Sequence, residues 1–264
     1  LYRRYFRVTL QDVHHVPDGG RAILVGNRAG LLPLDGLMLM QGLRREHPAH
    51  REVRPLLEDG LFNTPYLGPL LGRIGAVRAC PENAERLLRD EQLIAVFPEG
   101  QRGGAKSFRE RYRLQRFGRG GFIRLALRTR TPLIPVAIVG AEEAQPVLGR
   151  STWLDRLARP LGLPFLPLTP TFPWLGPLGL LPLPTRWSIA FGPPLHLYTE
   201  HPPESAEDRV LVAQLAADLA AGITKGARVE FQVNAQTPKT LEGEITAVSP
   251  TVDPRTRTIR LRVR

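Results

Sequence analysis

Short apolar runs of strand length alternate with helical patterns along most of this chain, and this alternation constrains its fold more than any other feature. Apolar runs of about four to eight residues are typical of buried strands. Strands separated by helices favour an α/β fold with a mixed, partly parallel sheet flanked by helices. Strands are predicted at residues 21–26, 93–97, 133–139 and 186–192, and helices at residues 37–45, 81–88 and 117–129.

The pattern changes towards the carboxyl end. A helix is predicted over residues 205–221, with Ser205 as its N-cap and Gly222 closing it. Three segments then alternate strictly between apolar and polar residues, which is typical of antiparallel strands. These segments are residues 228–233, 241–248 and 257–263. We therefore predict a domain over residues 1–222 and a short antiparallel β appendage over residues 223–264.

The chain carries a formal net charge of +11, which favours anionic partners such as phosphate groups, acidic lipid or nucleic acid. Much of the charge falls in one cationic run that is opposed only by Glu110. The run indicates either a site for a phosphate group or an anionic bilayer, or an ordinary solvated face. We expect no nucleic-acid partner, because no recognition motif accompanies the charge. The run comprises Lys106, Arg109, Arg111, Arg113, Arg116, Arg119, Arg124, Arg128 and Arg130.

A single cysteine, Cys80, excludes a disulfide framework and a cysteine-rich metal site. We expect neither a signal peptide nor a transmembrane helix, since the longest apolar region, residues 161–184, is interrupted by prolines that break helices. The wider segment 153–184 combines aromatic and aliphatic residues beside the arginines. It is either a segment that enters a bilayer surface or a loop that covers the sheet.

Polar residues follow the strand predicted at residues 93–97, where α/β folds place their sites. In Phe97-Pro-Glu-Gly-Gln-Arg102, Glu99 and Arg102 adjoin Gly100, and glycine lets a ligand approach the backbone closely. The pattern indicates either a binding site or an ordinary strand-to-loop turn. Arg78, in Gly75-Ala-Val-Arg78, is either a phosphate ligand or a surface arginine.

Together these segments resemble the glycerolipid acyltransferase family, of the 1-acyl-glycerol-3-phosphate acyltransferase type. The resemblance covers about residues 21–222 and is carried by Gly75-Ala-Val-Arg78, Phe97-Pro-Glu-Gly-Gln-Arg102 and Leu133-Ile-Pro-Val-Ala, with Gly140-Ala-Glu-Glu143 similar to one bacterial branch. It implies that a fatty acyl group moves from acyl-CoA or acyl carrier protein, as co-substrate, to a lysophospholipid hydroxyl. It implies no metal and no bound cofactor.

In that family an Asn-His pair is followed by an Asp; the histidine takes the proton of the acceptor hydroxyl and the Asp orients it. Here the pair is Asn27-Arg28, and Asp35 matches the family's Asp. Arginine offers donors only and cannot act as a base. We expect an Arg28–Asp35 ion pair and a degenerate catalytic motif. His14 and His15, which lie upstream, are expected in an ordinary loop.

The resemblance also implies the substrate-binding residues. Arg78, Glu99, Gly100 and Arg102 would hold the phosphate and glycerol portions of the acceptor, and Gln101 stands where the family has Thr or Ser. The implied location is peripheral, on anionic lipid at the cytoplasmic face of the cell membrane. The alternative to catalysis is a degenerate protein that binds anionic lipid without turnover.

Residues 226–264 resemble a different family, the β-barrel of periplasmic efflux adaptors, also called membrane fusion proteins. The resemblance is carried by Ser249-Pro-Thr-Val-Asp-Pro-Arg-Thr-Arg-Thr-Ile259. The two families work on opposite sides of a membrane. The alternatives are a small β unit with another purpose and an artefactual fusion with an adaptor fragment. A truncated barrel would leave strand edges unpaired.

Overall fold

Two separate β-sheets organise the chain. The computed structural model describes residues 2–29, 32–64, 67–115, 117, 120–149, 151–158, 165–225, 228–233, 239–252 and 259–263. The strands are β1 (Thr9–Gln11), β2 (Ala22–Gly26), β3 (Val53–Leu57), β4 (Val77–Arg78), β5 (Leu93–Val96), β6 (Leu133–Val139), β7 (Ser188–Phe191), β8 (Arg228–Val233), β9 (Lys239–Val252) and β10 (Ile259–Val263). The helices are α1 (Leu34–Glu46), α2 (Asp59–Phe62), α3 (Leu67–Arg73), α4 (Pro81–Arg89), α5 (Gly100–Gly104), α6 (Gly121–Thr129), α7 (Ala141–Ala144), α8 (Thr152–Ala158) and α9 (Arg209–Lys225).

The larger sheet has the strand order β1-β7-β6-β2-β5-β3-β4. The five strands from β6 to β4 run parallel, β7 is antiparallel to β6, and β1 is parallel to β7. The predicted fold class, a mixed and partly parallel sheet flanked by helices, is therefore confirmed. The carboxyl ends of β2, β3, β4, β5 and β6 meet at one edge of the sheet, which we call the site edge.

Helices cover the larger sheet on both faces. Every residue of β2 is buried; Leu24 faces a core shared with α1, whereas Ile23 and Val25 face a core shared with α4, α6 and α9. Parallel strands that are covered on both faces read as continuous apolar runs. This is why β2, β5 and β6 could be located from the sequence.

The first helix begins earlier than predicted. The glycines and proline before residue 37 indicated a loop that contained Asp35, but α1 starts at Leu34 and Asp35 lies in its first turn. Pro33 precedes the helix, and proline is tolerated there because the first amides of a helix have no partner within it. Asp35 is therefore held by a helix that begins shortly after the end of β2, and not by a loop.

The last helix of the larger domain also differs from the prediction. Residues 203–207 form a 3₁₀ turn, and α9 begins at Arg209 with the Asp208 carboxylate accepting from the amides of Val210 and Leu211 at 2.9 and 3.2 Å. Asp208, and not Ser205, is the N-cap. The helix continues through Gly222 to Lys225, because Ile223 is still buried in the core.

The predicted β appendage is confirmed as an antiparallel sheet in the order β10-β9-β8. The domain boundary near Gly222 stays a prediction. Among the described residues, no helix is long and apolar enough to cross a membrane.

Candidate active site

The candidate site is built where β2 and β5 end side by side. Val25 of β2 pairs with Val96 of β5, so residues 27–29 and Glu99 leave the sheet together. The Asn27 side chain fixes the first of these exits, because its amide donates to the carbonyl of Ile138 at 2.8 Å and its oxygen accepts from the Ile138 amide at 2.7 Å. The side chain thus extends the pairing of β2 with β6 and orients Arg28.

Asp35 is fully buried beside Arg28. Its Oδ2 accepts from the Ala29 amide at 3.0 Å, and its Oδ1 is buried without a hydrogen-bond partner. Burial raises the pKa of Asp35 to about 7, while the Arg28 charge lowers it. The expected Arg28–Asp35 ion pair is wrong as a contact: the ion pairs within 4 Å among the described residues do not include it. The guanidinium acts on Asp35 only over a longer distance.

Glu99 is buried against the same stretch of backbone. Its Oε1 accepts from the Gln115 amide at 3.3 Å, its Oε2 has no hydrogen-bond partner, and the nearby Arg28 amide favours its charged form. Burial raises its pKa to about 7. Two buried carboxyl groups, Asp35 and Glu99, therefore lie close to the backbone of residues 28 and 29 at the end of one strand.

The glycine at position 103 makes this packing feasible. A Cβ there would lie 2.3 Å from Glu99 Oε2 and 3.0 Å from the Arg28 carbonyl oxygen. Such distances are far inside van der Waals contact, so a side chain would push α5 away from the strand ends. Gly103 was not singled out from the sequence.

Lys106 and Glu142 form an ion pair at the site that was not predicted from the sequence. Lys106 Nζ lies 2.5 Å from Glu142 Oε1 and 3.9 Å from Glu99 Oε2, and it donates to the Arg113 carbonyl at 2.9 Å. Lys106 was counted in the cationic run, which was predicted to be either an anion site or a solvated face, but its side chain is buried. Glu142 belongs to the quoted segment 140–143, but nothing in the sequence pairs it with Lys106.

The predicted acceptor ligands lie at the site edge, but not in one cluster. Arg78 ends β4, two strands from β5; it lies over the Phe62 ring at 5.8 Å and reaches Asn63 at 3.5 Å. Arg102 is exposed on α5. Gly100 adopts a positive φ of 55°, and a Cβ there would lie 2.7 Å from Glu58 Oε1. Arg28, Asp35 and Glu99 are thus brought together, whereas Arg78 is not.

Only part of the cationic run is described, since Arg116 and Arg119 lie outside the described residues. Within it, Arg128 pairs with Glu207, and Arg124 lines a cleft. Arg109, Arg111, Arg113 and Arg130 are exposed.

All six histidines of the chain lie away from the site edge. His15 Nδ1 is 2.7 Å from the Phe191 carbonyl oxygen, at the end of the antiparallel strand β7 and hence at the opposite edge, and His14 stacks on it. His14 and His15 therefore cannot reach Arg28, as expected. The other four, His47, His50, His196 and His201, contact Val16, Arg44, Tyr198 and Leu197 around the same opposite edge.

An apolar cleft opens beside the Glu99 loop. It has a volume of about 430 Å³ and lies between α4 and α6, with Leu56, Phe122 and Leu125 among its walls. Phe97 and Pro98 line the end next to Glu99, and the charged lining residues are two arginines and two glutamates: Arg124, Arg128, Glu58 and Glu85. Among the described residues, no group of three or more His, Cys, Asp or Glu side chains is placed to hold a metal ion.

Comparison with known proteins identifies the larger domain. The model of the acyltransferase family matches residues 7–139, half of the chain, and this stretch contains Arg28, Asp35, Arg78, Glu99 and Arg102. The chain belongs to the acyltransferase family. The match begins earlier than the predicted start at residue 21 and stops at the end of β6.

The relatives of this chain include uncharacterized proteins of mycobacteria. That of Mycobacterium tuberculosis is 49% identical over 74% of this chain and 54% of its own length, and that of Mycobacterium leprae is 45% identical over 81% and 58%. The chain therefore spans about half the length of the curated relatives it matches. A mouse protein described as a "DGAT1/2-independent enzyme synthesizing storage lipids" is 26% identical over 62% of the chain and 48% of its own length.

The chain is also similar to a solved structure and to a second family model. The 1-acyl-sn-glycerophosphate (LPA) acyltransferase PlsC of Thermotoga maritima is 16% identical, with a TM-score of 0.47, over 82% of this chain and 72% of that chain. The model of the CusB-like β-barrel domain matches residues 211–264. The predicted likeness of the carboxyl end to an efflux adaptor barrel is confirmed, and the match begins inside α9.

Proposed function

We propose that the chain transfers a fatty acyl group from acyl-CoA or acyl carrier protein to 1-acyl-glycerol-3-phosphate, and so serves phospholipid biosynthesis. The supporting observation is the arrangement at the end of β2, where the buried Asp35 accepts from the Ala29 amide and the buried Glu99 lies near the Arg28 amide. In the reaction the acceptor hydroxyl oxygen attacks the thioester carbonyl carbon. A carbon–oxygen bond forms, the carbon–sulfur bond breaks, and the leaving thiolate receives the proton that the hydroxyl loses.

Position 28 limits the rate of this reaction. A neutral imidazole there would take the hydroxyl proton, whereas a guanidinium has no lone pair to accept one. The partnerless Oδ1 of Asp35 supports this view, since a buried acceptor without a donor is costly and an imidazole N–H at position 28 would satisfy it. We infer that the scaffold for acyl transfer is retained and that its base is missing.

The remaining residues would bind the two substrates. Arg78 and Arg102, both at the site edge, supply the guanidinium groups that suit a phosphate. The apolar cleft ends at Phe97 and Pro98, next to Glu99, and its walls suit an acyl chain. The net charge of +11 supports work on anionic lipid at the cytoplasmic face of the membrane.

The substrate assignment is tested in the Arg28→His variant, with lysophosphatidic acid and monoacylglycerol as competing acceptors. Arg102→Ala is expected to raise the KM for lysophosphatidic acid by about tenfold or more, because a charge-assisted hydrogen bond contributes about 1.5–3 kcal/mol, and to leave monoacylglycerol unaffected. Arg86→Ala, an exposed arginine on α4, is the matched control. A folded Arg28→His variant that forms no phosphatidic acid contradicts the assignment.

A second candidate is favoured by the position of the histidines. With all six away from the site edge, the chain as it stands would bind anionic lipid through the same acceptor site without turning it over. Binding to vesicles that contain phosphatidic acid, weakened by salt and without acyl transfer, is its signature. Binding that ignores lipid charge and salt contradicts it.

A further inference from the structure

A second feature of the larger domain lies outside the residues assigned to acyl transfer, namely a set of large apolar side chains that project into solvent. Each is at least half exposed, and Trp174 is 81% exposed. All belong to α8 or to the segment 174–181. We call them the apolar rim. The apolar rim consists of Trp153, Leu157, Trp174, Leu175, Leu178 and Leu181.

The apolar rim is held in place from beneath. A small separate core packs the inner face of α8, Leu154 and Ala158, against Leu166 and Phe172. The hydroxyl groups of Thr169 and Thr171 both donate to the Gly179 carbonyl, at 3.3 and 2.8 Å. The segment is therefore folded with its apolar side chains outward, which is a costly arrangement in water and a useful one at an apolar surface.

The charge around the apolar rim identifies that surface. No acidic residue occurs in the sequence between Asp155 and Glu200. Arg156 is exposed on α8. Arg111 is exposed in the loop whose Phe108 amide donates to the Val147 carbonyl at 2.7 Å, a few residues before α8. Cations that flank tryptophan and leucine suit a bilayer with anionic headgroups, because the rings settle at the headgroup level and the cations bind the phosphates.

The amino-terminal residues add to this charge. Tyr5 donates to the Pro182 carbonyl at 2.7 Å, at the end of the apolar rim, and its neighbours Arg3, Arg4 and Arg7 are exposed. We infer that the apolar rim inserts into the surface of an anionic bilayer and docks the site edge on the membrane that holds its acceptor. The second clause rests on the proposed acyl transfer; insertion itself does not.

Tryptophan fluorescence tests the insertion directly. Of the three tryptophans, Trp153 and Trp174 belong to the apolar rim and Trp187 is buried in the core. With vesicles of phosphatidylcholine and phosphatidylglycerol, brominated on the acyl chains, we expect a blue shift and strong quenching. Trp153→Phe/Trp174→Phe, which keeps both apolar rings, should retain binding and lose most of the quenching. Binding without quenching overturns the inference.

A matched pair of variants separates the apolar rim from general hydrophobicity. Trp174→Ser/Leu178→Ser is expected to weaken vesicle binding by at least about tenfold, since two inserted side chains are lost. Val210→Ser removes a single apolar side chain that is 76% exposed on α9 and should change nothing. Equal thermal unfolding of the three chains shows that each is folded. Equal binding by the double variant and the control overturns the inference.

Two further outcomes are informative. If the apolar rim instead covers a second copy of the chain, sedimentation shows a dimer that Trp174→Ser/Leu178→Ser dissociates, and the inference is wrong. A short-chain, water-soluble lysophosphatidic acid, supplied without vesicles, tests acyl transfer separately from membrane insertion. It therefore distinguishes a wrong insertion inference from a wrong proposed function. In the Arg28→His background, transfer to this acceptor should not change with Trp174→Ser/Leu178→Ser.

Discussion

At the scale of single residues, burial and neighbouring cations have opposite effects on the pKa values of the two carboxyl groups of the site. Asp35 and Glu99 are both shielded from water, and each has one carboxylate oxygen without a hydrogen-bond partner. Burial disfavours the charged form of a carboxyl group, and for both residues it outweighs the neighbouring cations. Burying these carboxyl groups costs stability, and carboxyl groups with strongly shifted pKa values are typical of functional sites.

This cost predicts how stability depends on pH. The folded-state pKa of Asp35, about 7, lies above its ordinary value of 3.8, so between these values the folded chain holds a proton that the unfolded chain has released. The free energy of unfolding therefore falls as pH rises through that window. Asp35→Asn keeps an acceptor for the Ala29 amide and removes the charge, so it should raise Tm at about pH 8 and much less at about pH 5.

Asp218→Asn, which changes an exposed carboxylate on α9, is the control and should show no such difference. Thermal unfolding of the three chains at both pH values is the measurement. A Tm for Asp35→Asn that falls equally at both values would show that Asp35 stabilises the fold in its charged form, contrary to its burial.

At the scale of elements, Lys106 ties the loop after α5 to α7. Its ammonium contacts Glu142 on α7, lies near Glu99 at the end of β5, and donates to the Arg113 carbonyl. Removing one partner of a buried ion pair leaves an uncompensated charge and typically costs about 3–5 kcal/mol. We therefore expect Lys106→Met to be strongly destabilising in urea unfolding.

An exposed ion pair provides the comparison. Arg89 and Glu85 pair on the surface of α4, and Arg89→Met should cost no more than about 1 kcal/mol. Adding Glu142→Gln to Lys106→Met should restore part of the lost stability, because the stranded carboxylate is then neutral. If Lys106→Met is as mild as Arg89→Met, the buried contact contributes nothing to stability.

The elements also show what the sequence can and cannot predict. Strands β2, β5 and β6 are continuous apolar runs and were placed to within a residue. Strand β3 was missed because Arg54 and Pro55 interrupt its apolar pattern, and β4 because two residues, Val77 and Arg78, carry no periodicity. Gly222 was taken for a helix end because tertiary packing of Ile223, which carries α9 onward, is not visible locally.

The candidate site divides in the same way. Arg28, Asp35 and Glu99 were predicted from motifs, and the parallel order of the strands brings them together. The burial of Lys106 and its contact with Glu142 depend on how two loops meet in space, about 36 positions apart along the chain. Sequence spacing carries no information on such a contact.

At the scale of the whole molecule, the two edges of the larger sheet carry different kinds of polar side chain. The site edge holds Asp35 and Glu99 together with Arg28, Arg78 and Arg102, whereas the histidines lie around the opposite edge. The β appendage forms a three-stranded sheet of its own, separate from the seven-stranded sheet.

This separation predicts unequal effects of truncation. A chain that ends after residue 225 should unfold at nearly the same Tm as the longer chain. A chain that ends before α9 loses Val212, Ala216, Leu219 and Ile223 from the core and should unfold at least about 10 °C lower, since 1 kcal/mol corresponds to about 2–4 °C in a domain of this size. Calorimetry of the three chains decides the matter, and a large Tm loss on removing residues 226–264 alone would make the appendage part of the core.

The central claim, that Arg28 occupies the place of the base in an acyltransferase scaffold, is tested most directly by one comparison. Acyl transfer from acyl-CoA to lysophosphatidic acid is measured at saturating substrate for the chain with Arg28 and for its Arg28→His variant. Because general base catalysis contributes about 10²–10⁴ in rate, we predict a gain of at least about a hundredfold for Arg28→His. Equal turnover by both chains would mean that another group takes the proton, and the claim would be wrong.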